Sequence, residues 1–202
     1  TNLWSSELSK LIANAFLAQK ISSINSITAL CEKTGADISQ VSLAVGADRR
    51  IGKHFLNAGP GFGGSCFKKD ILNLIYICEH YGLHEVAIYW GNVLTINNWQ
   101  KKRISSIILE KLFGTISGKK IGILGFAFKA DTNDTRESPS IDICHELIEE
   151  GAKLSIYDPK VNPQKINQDL NINNKKQFTW EIVGSVKQAA QDSDAIVILT
   201  EW

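Results

Sequence analysis

The sequence has no excess of charge and no long apolar run. Its 202 residues carry 22 Lys and Arg against 21 Asp and Glu, which gives a formal net charge of +1. A near-neutral balance offers no electrostatic reason to bind nucleic acid or an anionic membrane surface. No apolar stretch reaches the roughly 20 residues of a membrane-spanning helix, and no basic and apolar leader opens the chain. We therefore expect neither nucleic acid nor a membrane among its partners.

Cysteine and histidine are scarce and form no recognisable pattern. The four cysteines include no CxxC pair and no disulfide framework, and the four histidines include no HExxH motif or Cys/His cluster. We therefore expect free thiols, a cytoplasmic location and no metal. Hydrophobic residues make up 44% and charged residues 21%, so the chain is predicted to fold as one or two globular domains.

Methionine is absent altogether. The chain opens with Thr1 at the edge of a predicted helix and closes with Trp202 just after a predicted strand. Both ends look cut, and we expect the chain to be part of a longer protein.

Glycine, in contrast, is concentrated in the stretch GPGFGGSCFKKD from Gly59 to Asp70. Glycine lets a ligand approach the main chain closely. A helical apolar pattern follows Cys66, so this cysteine is predicted where a glycine loop meets a helix N-terminus, with two lysines just beyond it. That setting favours the thiolate, which is the nucleophilic form. A glycine turn followed by a small buried residue is the competing interpretation, and the residues alone leave both open.

Up to about Phe113 the chain is predicted to be helical. The stretch from Ser5 to Thr34 has no glycine or proline, carries an apolar stripe and ends near Gly35, which is typical of one long helix. Lys10 and Asn14 share a face of it, and a half-buried Asn14 needs a hydrogen-bond partner. Taken alone, the pair is better explained as a solvated lysine above a helix–helix hydrogen bond. Further helices are predicted at residues 38–45, with Asp37 as the N-cap, and at residues 69–81 and 84–112. Cys31, Cys78 and Cys144 are predicted core residues.

The pattern changes at Gly114. Strands are predicted at residues 119–125, 154–159 and 195–199. A helix is predicted to start at Ser138 as the cap with Pro139 at its first position, a polar insert at residues 162–176 and a short helix at residues 185–191. This order predicts a parallel sheet of the nucleotide-binding type. The stretch Gly122-Ile123-Leu124-Gly125 lacks the third glycine of a dinucleotide fingerprint, although Asp158 ends the second strand, where an acidic residue often meets a ribose. The expected fold class is α + α/β, with a helical domain at residues 1–113 and a partial Rossmann-like domain at residues 114–202.

Two motifs, GFGGSCFxKD and FAFKxDTxDTRES, stand in these two predicted domains. Around them lie SSELSKLIANAFLAQKISSINSITALCEKTGAD, DRRIGKHFLNA, KKIGILG, IYDPKV and a final TEW. Together, and in this order, they resemble the UDP-glucose/GDP-mannose dehydrogenase family over nearly the whole chain. The FGGSCFxKD form is similar to the UDP-glucose branch more than to the GDP-mannose or UDP-N-acetylmannosamine branches. Residues 162–181 are the least similar stretch.

The resemblance implies that UDP-glucose is oxidised at its C6 alcohol to a carboxylate in two NAD-dependent steps. By this resemblance Cys66 is the nucleophile, which forms a thiohemiacetal and then a thioester. Lys10 and Asn14 lie near the reacting carbon and stabilise an oxyanion, and Asp70 works with a water as acid and base. A tetrahedral adduct is needed because a hydride cannot leave from a flat aldehyde carbon, and a thiolate provides that adduct.

The resemblance also implies binding roles. The helical domain forms a homodimer or a higher homo-oligomer, and Arg50 reaches into a neighbouring subunit's site. The second domain holds UDP rather than NAD. Substrate contacts fall on Lys10, Asn14, Arg50, Asn57, Ala58, Gly59, Pro60, Gly61, Phe62, Gly63, Phe128 and Lys129, and NAD contacts on Cys66, Phe67, Lys68, Lys69 and Arg136.

The family's N-terminal NAD-binding domain and the last strands of its UDP-binding domain have no counterpart in this sequence. We therefore expect that the chain alone does not turn over. One alternative is a non-catalytic helical module for dimerisation and nucleotide binding. Another is a cysteine-based acyl transferase or hydrolase, which would need a histidine base. His54 and His80 are nearest to Cys66 in sequence, and neither stands in a recognisable arrangement.

Overall fold

The computed structural model describes residues 2–171 and 179–202 and divides into two compact units. The first unit ends at Gln100 and the second begins at Lys101, so the division falls inside a helix. The boundary expected near Gly114 stays a prediction. No helix among the described residues is both long and apolar enough to cross a membrane.

The first unit is built from helices whose ends are set by capping residues. Helix α1, Leu3–Thr34, begins where the Asn2 side chain accepts from Ser5 N at 2.8 Å, and it ends at Gly35 in the left-handed conformation. Helix α2 follows at Ile38–Ala47, with Asp37 as the predicted cap. Helix α3 spans Phe67–His80, so it starts two residues earlier than predicted, and helix α4 spans His84–Lys111.

The core of the first unit lies where α1 packs on α3 and α4. Small residues on α1 allow this approach, since Ala15 and Ala18 are fully buried. They pack in one cluster with Ile71, Leu74, Cys78, Ala87, Trp90 and Val93. The glycine loop runs into α3 beside this cluster, because its Phe62 is one of the buried members.

The second unit is a parallel sheet with strand order β3-β2-β1-β4. The strands are β1 Lys120–Leu124, β2 Lys153–Tyr157, β3 Trp180–Ile182 and β4 Ala195–Ile198, and the helices are α5 Pro139–Glu149, α6 Pro163–Leu170 and α7 Val186–Ala190. Ser138 caps α5 as predicted, with Pro139 at the first helical position. A helical unit followed by a parallel sheet unit confirms the predicted α + α/β class.

Two elements of the second unit were not predicted. Helix α6 lies in the stretch read as a polar insert, and it begins with the Asn162 side chain accepting from Gln164 N and with Pro163 at the first helical position. Strand β3 has only three residues, too few for a periodic pattern. The sheet therefore has four strands among the described residues, where three were expected. Residues 172–178, which include the end of the predicted insert, lie outside the described residues.

Candidate active site

Cys66 lies at the N-terminal end of α3, in the position where the sequence predicted it. It is exposed, and it occupies the N-cap position of a 14-residue helix. Within the described structure no side chain caps this helix end, and the Ser65 hydroxyl lies 3.8 Å from Cys66 Sγ. The partial positive charge of a helix start favours an anionic group there, such as a thiolate or an oxyanion next to it.

The other three cysteines are buried in the two cores. Cys31 and Cys78 lie inside the helical unit, and Cys144 is fully buried against the sheet. Burial raises the pKa of the Cys144 thiol because the charged form would lose its hydration. Of the four cysteines, all in the described part of the chain, Cys66 is the exposed one, which separates it from the predicted core residues.

A buried carboxylate lies one helical turn from the thiol. Asp70 is 2% exposed, and its backbone N–H donates to Cys66 O at 2.9 Å. The amide of Asn14 on α1 donates to Asp70 Oδ2 at 2.6 Å. Asn14, Asp70 and Cys66 are therefore brought together, and the predicted partner of Asn14 is this carboxylate. Lys10 is exposed one turn before Asn14 on the same helix.

The glycine loop is held by three buried amide side chains. Asn25 Oδ1 of α1 accepts from Gly59 N at 2.9 Å, and Gln100 Nε2 of α4 donates to Gly59 O at 2.9 Å. Asn97 of α4 accepts from Phe62 N at 2.8 Å and donates to Phe62 O at 3.1 Å. These three residues were missed from the sequence, where their only signal is an amide inside an otherwise apolar helical stripe.

The predicted loop residues differ in exposure. Phe62 and Gly63 are buried, Asn57 is exposed, and the residues between them are half-buried. Gly61 and Gly64 have φ values of 129° and 85°, which only glycine adopts readily. The Phe62 ring meets the Phe67 ring edge-on with centroids 5.7 Å apart, so the loop is packed against the first residue of α3.

Arg50 lies on a short connection after α2. Its guanidinium binds both carboxylate oxygens of Asp48, at 3.0 Å from Nε and 2.6 Å from Nη2. This contact holds the pKa of the Asp48 carboxyl below its usual range. Lys20 of α1 supports the connection by donating to Ile51 O and Gly52 O. The Arg50 side chain is 89% exposed, and its predicted role toward a neighbouring subunit stays a prediction.

In the second unit a loop after β1 carries Phe128 and Lys129. Asp158 at the end of β2 accepts from Phe126 N at 2.6 Å and from Ala127 N at 3.0 Å. The facing carbonyls are also bound, Phe126 O by the Ser138 hydroxyl at 2.8 Å and Ala127 O by the Thr200 hydroxyl at 2.7 Å. Phe128 is half-buried, and the exposed Lys129 ammonium lies 5.6 Å from the centre of its ring.

The incomplete glycine fingerprint of β1 has a packing role. A Cβ at Gly122 would lie 2.6 Å from Ala189 O of α7, and one at Gly125 would lie 2.6 Å from Thr200 N. Asp158 is likewise engaged inside the chain, because its second oxygen accepts from Lys160 N and Val161 N, both at 2.8 Å. The backbone of β1 and of the turn that follows it is therefore packed closely against α7 and Thr200.

Arg136 repeats the arrangement of Arg50. Its guanidinium binds both oxygens of Asp134, at 3.0 Å from Nε and 2.6 Å from Nη2, and this lowers the pKa of the Asp134 carboxyl. Thr135 lies between these two residues in sequence, and its hydroxyl donates to the buried Asp169 carboxylate at 2.6 Å. Lys68 and Lys69 are exposed on the first turn of α3. The described residues contain no group of three potential metal ligands.

A helical unit followed by a small parallel sheet matches the solved structures of nucleotide-sugar dehydrogenases. The structure of a UDP-glucose dehydrogenase from Pyrobaculum islandicum matches 98% of this chain and 44% of its own, with a TM-score of 0.88 and 34% identity. A UDP-D-ManNAc dehydrogenase from Pyrococcus horikoshii matches 99% of this chain and 43% of its own, with a TM-score of 0.77 and 25% identity.

Models of one protein family match the sequence of both units. The central domain of the UDP-glucose/GDP-mannose dehydrogenase family matches residues 4–99, and the UDP binding domain of that family matches residues 122–202. The chain belongs to the UDP-glucose/GDP-mannose dehydrogenase family, as the motifs predicted.

Curated relatives are similar over the whole chain. UDP-glucose 6-dehydrogenase of Drosophila melanogaster is 57% identical over 208 residues, which cover 100% of this chain and 44% of the relative. UDP-glucose 6-dehydrogenase 4 of Arabidopsis thaliana is 53% identical over 219 residues, which cover 100% of this chain and 45% of the relative. The chain thus spans less than half the length of these relatives.

Proposed function

We propose that this chain supplies the nucleophile and the UDP-binding unit for the oxidation of UDP-glucose to UDP-glucuronate. One observation carries the proposal: the exposed Cys66 thiol stands at a helix start, one turn from the buried Asp70 carboxylate that Asn14 binds at 2.6 Å. A nucleophile next to an oriented acid–base group is the arrangement that covalent catalysis requires. The similarity to UDP-glucose 6-dehydrogenases at 53–57% identity supports the choice of substrate.

The role of Cys66 follows from the second of two oxidations. Removal of a proton and a hydride from the C6 alcohol gives an aldehyde. The thiolate adds to the aldehyde carbon, a C–S bond forms, and the oxygen takes up a proton to give a thiohemiacetal. Loss of that proton and of the C6 hydride leaves a thioester. Water then attacks the carbonyl carbon, the C–S bond breaks, and the carboxylate leaves as the thiol is restored.

The neighbouring side chains stabilise charge and move protons. The Asn14 amide nitrogen has two hydrogens, one of which binds Asp70, so the second can donate to an oxygen on C6. Together with the ammonium of Lys10 it would stabilise the oxyanion, at roughly 3 kcal/mol for one donor. The Asp70 carboxylate would hold the hydrolytic water and accept its proton, since burial and a fixed partner keep it in one position.

The substrate contacts divide between the units. In the first, the loop from Asn57 to Gly63 would cover the sugar nucleotide, and Arg50 would reach a neighbouring subunit. In the second, Phe128 would offer a ring face and Lys129 a cation to the nucleotide, and the fixed backbone beneath them supports this assignment.

The hydride acceptor in this proposal is NAD, whose nicotinamide accepts the hydride and its electron pair when it is bound. In the first unit, Cys66 and Phe67 at the start of α3 and the cations of Lys68 and Lys69 would contact this anionic dinucleotide. In the second unit, Arg136 is the cation assigned to it. The glycine turn after β1 lacks the third glycine of a dinucleotide fingerprint and is packed closely against Thr200, so we do not assign NAD to it. We therefore expect no steady NADH formation from the 202-residue chain by itself.

Self-association and location complete the proposal. Large apolar side chains are exposed on the helices of the first unit, among them Leu3 at 77% and Ile88 at 65%, which supports a homodimer or a higher homo-oligomer. The four free cysteines support a cytoplasmic location. Light scattering on the purified chain should give a mass of at least twice 22.3 kDa, and a monomer would contradict this part.

To test the reaction, the matching segment of the Drosophila melanogaster relative is replaced by this chain, and the hybrid protein is assayed. With UDP-glucose and excess NAD, we expect two NADH for each sugar consumed, because each hydride carries one of two oxidations. Cys66→Ser should abolish the reaction, whereas Cys78→Ser, which changes a buried thiol, should keep the stoichiometry.

Other outcomes favour other functions. One NADH per sugar would mean an ordinary alcohol dehydrogenase in which Cys66 forms no covalent bond. No NADH, with UDP-glucose binding retained, would favour a non-catalytic module for dimerisation and nucleotide binding. Rapid ester hydrolysis without NAD would favour the cysteine hydrolase.

A further inference from the structure

The glycine loop needs an external support to hold one conformation. Gly61, Gly63 and Gly64 leave it few side chains to pack, and glycine has the largest conformational freedom to lose. The structure supplies that support through Asn25, Asn97 and Gln100.

We propose that these three amides, here called the amide clamp, are positioning residues for Cys66 and for the sugar-binding loop. As far as the sugar is concerned, this rests on the proposed function. Asn97 is the central member, since it pairs with both the N–H and the carbonyl of Phe62. A side chain needs a donor and an acceptor at once to do this, and an amide has both.

The clamp fixes the thiol because the chain between them is short. Phe62 is anchored by Asn97 on one side, and Phe67 begins α3 on the other. Only residues 63–66 lie between these two points, and the Phe62 and Phe67 rings meet at 5.7 Å. A displacement of Phe62 would therefore displace Cys66 as well.

Asn25 offers a way to separate positioning from stability. It is fully buried, its Oδ1 accepts from Gly59 N, and its Nδ2 has no hydrogen-bond partner among the described residues. A buried unpaired donor is costly, so replacing the amide by an apolar side chain of similar shape removes a penalty together with the bond. Asn25→Leu should release Gly59 while changing the melting temperature little.

Two control variants match the clamp variants. Ser22 on α1 donates to Val93 O of α4 at 2.9 Å and is buried, so Ser22→Ala removes a hydrogen bond between the same two helices without touching the loop. Asn98 follows Asn97 on α4 and is exposed, so Asn98→Leu repeats the substitution outside the clamp.

The experiment measures three properties of Asn25→Leu, Asn97→Leu and the two controls. These are the rate of iodoacetamide alkylation of Cys66, the Kd for UDP-glucose by calorimetry, and amide hydrogen exchange at Gly59 and Phe62. In both clamp variants we expect faster hydrogen exchange at the released backbone amide. We also expect the rate of Cys66 alkylation to fall about tenfold and the Kd for UDP-glucose to rise about tenfold. The controls should stay within about twofold of the wild type.

Each remaining outcome decides between the proposals. If the clamp variants have the same alkylation rate and the same Kd for UDP-glucose as Ser22→Ala, the positioning role is overturned. The three amides would then contribute to stability alone. If the wild-type chain does not bind UDP-glucose, the proposed function fails, and the alkylation rates still decide whether the clamp positions Cys66.

Discussion

The glycine loop of the helical unit and the loop after β1 of the sheet unit are fixed in the same way with different chemistry. In each, buried or half-buried side chains bind backbone N–H and carbonyl groups, while Asn57 in the first loop and Lys129 in the second stay exposed. The helical unit uses the neutral amides of the clamp, whereas the sheet unit uses the carboxylate of Asp158 and the hydroxyls of Ser138 and Thr200. The comparison shows that the conformation of a loop can be fixed by side chains of neighbouring elements. Because those side chains bind the loop's backbone, the loop's own side chains remain available to a ligand.

Glycine also has a different role in the two loops. A Cβ at Gly59 would meet nothing within 4 Å, whereas one at Gly125 would lie 2.6 Å from Thr200 N, at a φ of 93°. The first loop is therefore open at this position, and the second is closed.

The largest effect is expected from adding one methyl group to each loop. Gly125→Ala should destabilise the sheet unit by roughly 4 kcal/mol or more, since a close backbone contact and a left-handed φ both oppose it. Gly59→Ala should change stability by at most about 1 kcal/mol. Urea unfolding followed by circular dichroism measures both, and equal effects would mean that the loops do not differ in this way.

The next effect concerns the carboxylate of the sheet unit. Asp158→Asn keeps one acceptor oxygen and turns the other into a donor that faces two N–H groups, so we expect a loss of about 2–3 kcal/mol. Asp131→Asn is the matched control, because Asp131 is exposed and asparagine tolerates its positive φ. If Asp158→Asn lowers the free energy of unfolding no more than Asp131→Asn does, the Asp158 carboxylate does not stabilise the loop.

The smallest effect belongs to the Asp134–Arg136 pair. Because Arg136 lowers the pKa of Asp134 in the folded state, the pair stabilises the fold above the unfolded pKa of about 3.9 and loses this effect as pH falls through the lower folded pKa. Asp134→Asn should lower the free energy of unfolding by less than about 1 kcal/mol at pH 7, because the arginine is exposed. In strong acid the substitution should leave the free energy of unfolding unchanged. Stability curves of both proteins against pH test this, and a difference that persists in acid would contradict it.

Sequence reasoning found what local chemistry determines. The caps Asp37 and Ser138 and the cysteine at the start of α3 follow from short-range patterns, and all three are present. Helix α6 was missed although Asn162 and Pro163 form a regular helix start, because the polar composition around them was read as a loop.

The amide clamp was missed for a different reason. Asn25 and Gln100 are separated by most of the first unit in sequence, and both serve Gly59. A side chain that binds a distant backbone group leaves no spacing in its own neighbourhood, so only the tertiary structure identifies it. The same holds for Asp158 and Thr200, whose partners lie about 31 and 73 positions away along the chain.

The burial of three cysteines has a consequence for oxidation. Peroxide would convert the exposed Cys66 thiolate to a sulfenic acid, which is normally rescued by condensing with a second thiol. Cys31, Cys78 and Cys144 are enclosed in the cores, so no thiol of the same folded chain can reach it. Within these 202 residues, Cys66 would therefore depend on small thiols such as glutathione, and without them it would proceed to the sulfinic acid, which is not readily reversed.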